Sequence, residues 1–260
     1  MKVKDVMTTE IISVDKDEDL AHVLTLMKKH DITKIPVLEN KKFFGIITDN
    51  MIAYKLGSIR KREITASRLH ASSVTEKNVP VVTAEDDLVP ILRMVGDPGP
   101  TMLPVLDSDG QLIGVLTKAD ILHLAKSTKA VSQIMRKKIS VVAPDDRVVH
   151  ARRIMLDEQV ARLPVVDQGA LVGIISDVEI AFAFAKLKES FALGHQKHQL
   201  EELLVQDVMK SPVIWTTKTI TIANAATLML KHDIGALPIV DEKRLIGIIT
   251  RTDVLKTVVL

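Results

Sequence analysis

Three stretches of this chain repeat one another in register, and that repetition restricts what it can fold into more than any other feature. Each opens on a polar residue, an aliphatic residue and Met: Asp5-Val6-Met7, Gln133-Ile134-Met135 and Asp207-Val208-Met209. Each carries an aliphatic-Pro-aliphatic step 29 residues after the Met, at Ile35-Pro36-Val37, Leu163-Pro164-Val165 and Leu237-Pro238-Ile239. Nine residues beyond each Pro stands a Gly (Gly45, Gly173, Gly247), followed by Ile-Ile-Thr or Ile-Ile-Ser. A weaker fourth copy lies between the first two. Its Leu103-Pro104-Val105 leads to Gly114-Val115-Leu116-Thr117, and Thr75 stands where the Met would be. Its helix runs into Gly96-Asp97-Pro98-Gly99-Pro100, which no helix tolerates. The copies span 1–56, 72–126, 131–186 and 204–258.

Every copy has the same local pattern. A short aliphatic strand, such as Ile11-Ile12-Ser13-Val14 or Ser140-Val141-Val142, precedes an acidic turn. A helix follows, with apolar residues at i, i+3, i+4 and i+7 (Leu20, Val23, Leu24, Met27). It ends at Lys29-His30-Asp31 in the first copy and Lys231-His232-Asp233 in the fourth, where His30 and His232 suit a helix C-terminus. Two strands then flank a polar turn; the Pro opens one and the Gly the other. A final helix starts at the Thr or Ser. The fold class is α/β (α+β), as four βαββα repeats. A three-stranded unit of about 55 residues leaves one sheet face bare and is marginal alone. The copies are therefore expected in pairs, one with two (module 1–127) and three with four (module 128–260).

Composition removes several function classes. A net charge of +2 and 3% aromatics argue against nucleic acid as a partner. The absence of cysteine excludes disulfides, thiolate metal sites and cysteine nucleophiles. No apolar run reaches the roughly 18–20 residues that span a bilayer. The start, MKVKDVMTTE, lacks the apolar core of a signal peptide, so a cytoplasmic location is expected. There is no Gly-x4-Gly-Lys, Gly-x-Gly-x-x-Gly or His-Glu-x-x-His, so the chain reads as a non-enzyme. His195-Gln196-Lys197-His198 has no third ligand and reads as a polar helix surface without metal. Arg60-Lys61-Arg62, with Arg68 and His70, reads as a solvated linker. Phe182, Phe184 and Phe191 read as helix packing or a dimer contact.

With these elements in register, the chain resembles proteins made only of CBS domains, arranged as two tandem pairs (Bateman modules) and similar in layout to the gamma subunit of AMP-activated kinases. The resemblance implies a regulatory fold that binds AMP, ADP, ATP or S-adenosylmethionine in the cleft between paired copies, with no catalytic cofactor. In that family the ribose-binding element is Gly-aliphatic-aliphatic-Thr/Ser-x-x-Asp, where a carboxylate accepts from the 2′- and 3′-hydroxyls beside a helix N-terminus that favours phosphate. Thr117-Lys118-Ala119-Asp120 and Thr250-Arg251-Thr252-Asp253 hold it in full. Copy three has Ser176-Asp177-Val178-Glu179, and copy one has Met51 in place of the acid, so that site is expected to be dead.

By the same resemblance the partner copy supplies the rest. The residue two before the Pro meets phosphate, and the Met segment and first strand wrap the adenine. Lys34 thus stands opposite Asp120, and Arg162 opposite Asp253, while copies two and four carry Met102 and Ala236 there. Site one is expected to comprise Met7, Ile12, Thr33, Lys34, Thr117 and Asp120; site two, Met135, Ser140, Arg162, Thr250, Thr252 and Asp253. Plainer readings compete: Thr-x-x-Asp is also an N-terminal capping arrangement, and Lys34 and Arg162 also suit a solvated surface. The apolar Met7 and Ile12 with the lone Lys34 suit S-adenosylmethionine or methylthioadenosine. Further alternatives are a scaffold with vestigial sites and a nucleic-acid-associated regulator using the basic linker. The output is expected through a partner protein or self-association, the copies closing into a flat disc within one chain or two chains dimerising.

Overall fold

A computed structural model of the chain describes residues 1–57, 65–94, 102–190 and 200–259. The expectations for Arg60-Lys61-Arg62, Gly96-Asp97-Pro98-Gly99-Pro100, Phe191 and His195-Gln196-Lys197-His198 lie outside the described residues.

Each copy opens on one turn of 3-10 helix: Val3–Asp5, Ala71–Ser73, Val131–Gln133 and Val205–Asp207. The first helices follow at Leu20–His30, Leu88–Met94, Val148–Asp157 and Ile222–Lys231. Asp19 and Thr221 start two of them by accepting the backbone N–H of His22 and Asn224. The face Leu20, Val23, Leu24 and Met27 is buried, as its spacing requires. Asp31 (φ 52°) and Asp233 (φ 45°) end these helices in the left-handed region, which a short polar side chain tolerates. The paired strands are Lys34–Glu39 with Lys42–Thr48, Met102–Leu106 with Leu112–Thr117, Arg162–Asp167 with Ala170–Ser176, and Ala236–Asp241 with Arg244–Thr250. The second helices are Asp49–Gly57, Lys118–Leu122, Asp177–Ser190 and Arg251–Leu255.

The chain forms two compact units. One comprises Met1–Ile11, Val79–Ile139 and Ile214–Leu260; the other comprises Ile12–Asn78 and Ser140–Val213. Each has its own core. The first gathers Leu88, Leu103, Leu116, Ile121, Ile222, Leu237, Ile249 and Val254 from copies two and four. The second gathers Leu20, Ile35, Ile47, Ile52, Leu163, Ile175, Ile180 and Phe184 from copies one and three. Each core thus joins alternate copies rather than consecutive ones. Helix packing is the reason: Asp49–Gly57 lies along Asp177–Ser190, and Lys118–Leu122 lies on Arg251–Leu255. Phe184 is buried in the second core, and Phe182 packs against that core.

The opening strands are shorter than expected. The first copy keeps Val14–Asp15, and the third keeps the single parallel bridge Val142 to Val165. The chain passes from one unit to the other between Ile11 and Ile12 and between Ile139 and Ser140.

The repeated Met and Gly explain each other. Met7 packs on Gly114 of copy two, and Met135 on Gly247 of copy four, each within the first unit. Met209 packs on Gly173, and Thr75 and Glu76 pack on Gly45, within the second. A Cβ at Gly247 would lie 2.7 Å from Met135 Sδ and 3.3 Å from the Arg136 carbonyl oxygen. Gly247→Ala is accordingly expected to cost about 1–3 kcal/mol in urea unfolding. The cost should shrink in a Met135→Ala background, because the two residues share one contact. Among the described residues no helix is long and apolar enough to cross a membrane.

Candidate functional site: two capped carboxylates and their neighbours

In the first unit, the sharp strand-to-helix turns of copies two and four place a Thr and an Asp three residues apart at a helix start, where they cap each other. Asp120 Oδ2 accepts from the Thr117 backbone N–H (2.6 Å) and hydroxyl (2.7 Å). Asp253 Oδ2 accepts from the Thr250 backbone N–H (2.9 Å) and hydroxyl (2.7 Å). The capping reading of Thr-x-x-Asp thus holds for both copies, but it occupies only one oxygen of each carboxylate. Asp253 is 8% exposed, so the cap also fixes a largely desolvated charge in a single orientation.

The other oxygen meets a residue that the repeat pattern did not single out. Thr8 Oγ1 donates to Asp120 Oδ1 at 2.7 Å, and Arg136 Nε donates to Asp253 Oδ1 at 3.2 Å. Both residues directly follow the repeated Met. Their backbones pair in both directions with the strand beyond the Gly. Thr8 does so with Val115 at 2.9 Å each way, and Arg136 with Ile248 at 2.9 and 3.0 Å. The signal available in the sequence was this one position in the repeat, occupied by Thr8, Glu76, Arg136 and Lys210. Lys118 is a second such residue: its Nζ donates to Thr252 Oγ1 at 2.7 Å and ties the two acid-bearing copies together. Arg251 pairs with Asp233 at 2.6 Å.

In the second unit the corresponding turns differ. Glu179 of copy three reaches its cap despite the extra methylene, Oε2 accepting from the Ser176 backbone N–H at 2.9 Å and from its hydroxyl. In copy one the Met51 backbone N–H reaches Thr48 Oγ1 at 3.3 Å, and Met51 brings no carboxylate. Asn50 Nδ2 instead donates to Asp177 Oδ2 at 2.9 Å. Asp49 and Asp177, each the first residue of its helix, share one charged cluster with Lys34, Arg162 and Arg152. Burial raises the Asp49 carboxyl, and the charges of Lys34 and Arg162 oppose that rise. Asp177, 2% exposed, is pushed up to about 6, first by burial and then by the charge of Asp49. Burial lowers the Arg152 guanidinium; both its terminal nitrogens are buried without a hydrogen-bond partner among the described residues. It lies 5.8 Å from the Tyr54 ring centroid.

The residues singled out from the sequence therefore divide by unit. Met7, Thr117, Asp120, Met135, Thr250, Thr252 and Asp253 belong to the first unit. Ile12, Thr33, Lys34, Ser140 and Arg162 belong to the second. Lys34 donates to Thr33 Oγ1 at 2.9 Å, and Ser140 Oγ donates to Glu158 at 2.6 Å. Lys34 and Arg162 are partly buried, and their charges act on the Asp49 carboxyl.

Four copies of one βαββα unit, each closing on a capped turn, define a tandem-repeat protein with no other kind of domain among its described residues. The chain belongs to the CBS domain family, whose model matches residues 3–58, 71–127, 131–186 and 205–260. It is 27% identical to protein MJ1225 of Methanocaldococcus jannaschii, over 98% of this chain and 97% of that one. The crystal structure of MJ1225, described as a candidate archaeal homolog of γ-AMPK, superposes with a TM-score of 0.84. An uncharacterised conserved protein of Pyrococcus horikoshii shares 25% identity over the full length of both chains, with a TM-score of 0.62. Protein MJ1404 of Methanocaldococcus jannaschii is 27% identical over 98% of this chain, which spans 61% of that relative's length.

Proposed function

We propose that the chain is a non-catalytic sensor of adenosyl ligands, AMP, ADP or ATP, with Asp120 and Asp253 as the ribose anchors. The observation that carries this reading is the division of labour within each carboxylate. Oδ2 is locked into a helix cap, and Oδ1 is held by a side chain from a different copy. A ribose diol can take over Oδ1 without unmaking the cap. Membership of the CBS family and the likeness to MJ1225 over nearly its whole length support the reading.

A nucleotide of about 23 heavy atoms at ~0.3 kcal/mol per atom gives about −7 kcal/mol, a micromolar affinity suited to sensing. A ligand that displaces Thr8 or Arg136 from its carboxylate loosens the opening segment of one copy from the turn of another. It shifts the protein between two arrangements only by its difference in affinity for them. The response passes to a partner protein or to a second copy of the chain.

Mass spectrometry of small molecules released from the purified protein, followed by thermal shift against AMP, ADP, ATP, S-adenosylmethionine and methylthioadenosine, tests the proposal. At a hundredfold excess over Kd an adenosyl ligand should stabilise the fold by about 2.7 kcal/mol. No shift with any of the five would overturn it.

A further inference from the structure

We propose that the residue directly after each opening Met sets the ligand charge that its neighbouring carboxylate accepts. Arg136 gives the Asp253 site a preference for phosphorylated nucleosides that Thr8 does not give the Asp120 site. This rests on the ribose reading of those two acids. The two positions are matched in everything but the side chain. Each is clamped by a pair of backbone hydrogen bonds to the strand after the Gly, and each reaches the same Oδ1.

Thr8 brings one neutral donor, so the negative charge of Asp120 stays uncompensated by it. Arg136 brings a full positive charge to Asp253 through an ion pair of 3.2 Å. A ribose whose hydroxyls take Oδ1 would leave the Arg136 guanidinium beside the sugar. At 41% exposure that charge can be met by a 5′-phosphate from the solvent side. A phosphate arriving near Asp120 instead meets a carboxylate and a hydroxyl. One unit charge at about 6 Å, in a medium of effective dielectric near 40, changes an affinity by about a factor of ten.

The remaining copies obey the same matching. Lys210 is bridged to Ile174 on the strand that leads to Glu179, and Glu76 is bridged to Ile46 on the strand that leads to Met51. A hydroxyl or a cation follows the Met position where the facing helix carries an acid. An acid follows it only where the helix carries Met51.

Titration calorimetry with AMP and methylthioadenosine tests the proposal. Asp120→Ala isolates the second site, and Asp253→Ala the first. In the Asp120→Ala chain, Arg136→Thr is expected to lower the preference for AMP over methylthioadenosine about tenfold, and Arg136→Lys to keep it. In the Asp253→Ala chain, Thr8→Arg is expected to raise the preference by a similar factor. Thr8 and Arg136 are exposed, so the variants should fold, which their Tm checks. Preferences unmoved by both exchanges, with binding intact, would overturn the charge role alone. Loss of both ligands from the two single-Asp chains alike would overturn the ribose reading and this inference with it.

Discussion

Asp253→Ala is expected to weaken AMP at the second site by roughly 10²–10⁴-fold, and Asp120→Ala to do the same at the first. As the proposed ribose anchor, each acid would offer two charge-assisted hydrogen bonds, worth about 1.5–3 kcal/mol apiece. The caps limit how far the rest of the site can compensate. With Oδ2 held by the backbone and hydroxyl of Thr250, Asp253 is already in a single orientation, and ligand binding spends little on ordering it. Its removal also deletes a helix cap, at a cost of about 1 kcal/mol in stability. Glu179→Ala separates the two effects, since it removes a cap of the same design from copy three. It should lower Tm slightly and leave AMP affinity at Asp120 and Asp253 unchanged. If Asp253→Ala lost no more affinity than Glu179→Ala, capping would be the whole role of these acids.

The second large effect concerns stability. The Asp177 carboxyl is pushed from the ordinary 3.8 up to about 6 in the folded chain, chiefly by burial and then by Asp49. A carboxyl raised by folding favours the folded state at low pH. Its contribution is complete below about 3.8 and is lost as pH rises through about 6. At pH 7.5 the ionised group costs about 3 kcal/mol relative to a neutral one. Asp177→Asn keeps the shape and can still accept from Asn50, while removing the charge. It is expected to stabilise the chain by about 1–3 kcal/mol at pH 7.5, less whatever Arg152 loses in its countercharge. The gain should shrink to about a third by pH 4.5. Unfolding in urea at the two pH values measures this. A gain independent of pH, or a loss at pH 7.5, would show that the charge of Asp177 is compensated within the cluster.

The repeat itself was fully legible, because Met, Pro and Gly each answer a backbone or packing demand that recurs in every copy. Gly247 must admit Met135, and Asp31 and Asp233 must turn out of their helices; such demands leave fixed spacings. The capped acids were legible for the same reason. What escaped was whatever depends on which copy meets which. Nothing in the spacing says that Ile52 and Ile180 share a core while Ile121 joins Val254, since all four occupy equivalent helix positions. Thr8 and Arg136 were hidden because the position after the Met carries no common residue type. Their meaning appears only when Asp120 and Asp253 stand against them. The Asp49 and Asp177 pair likewise resembles two ordinary acids opening helices, until burial makes them neighbours.

Native mass spectrometry of the intact chain with AMP tests the two acids as ligand anchors most directly. The account predicts up to two nucleotides per chain, one in either single Asp→Ala variant, and none when Asp120 and Asp253 are both replaced. Two nucleotides still bound to that double variant would contradict it.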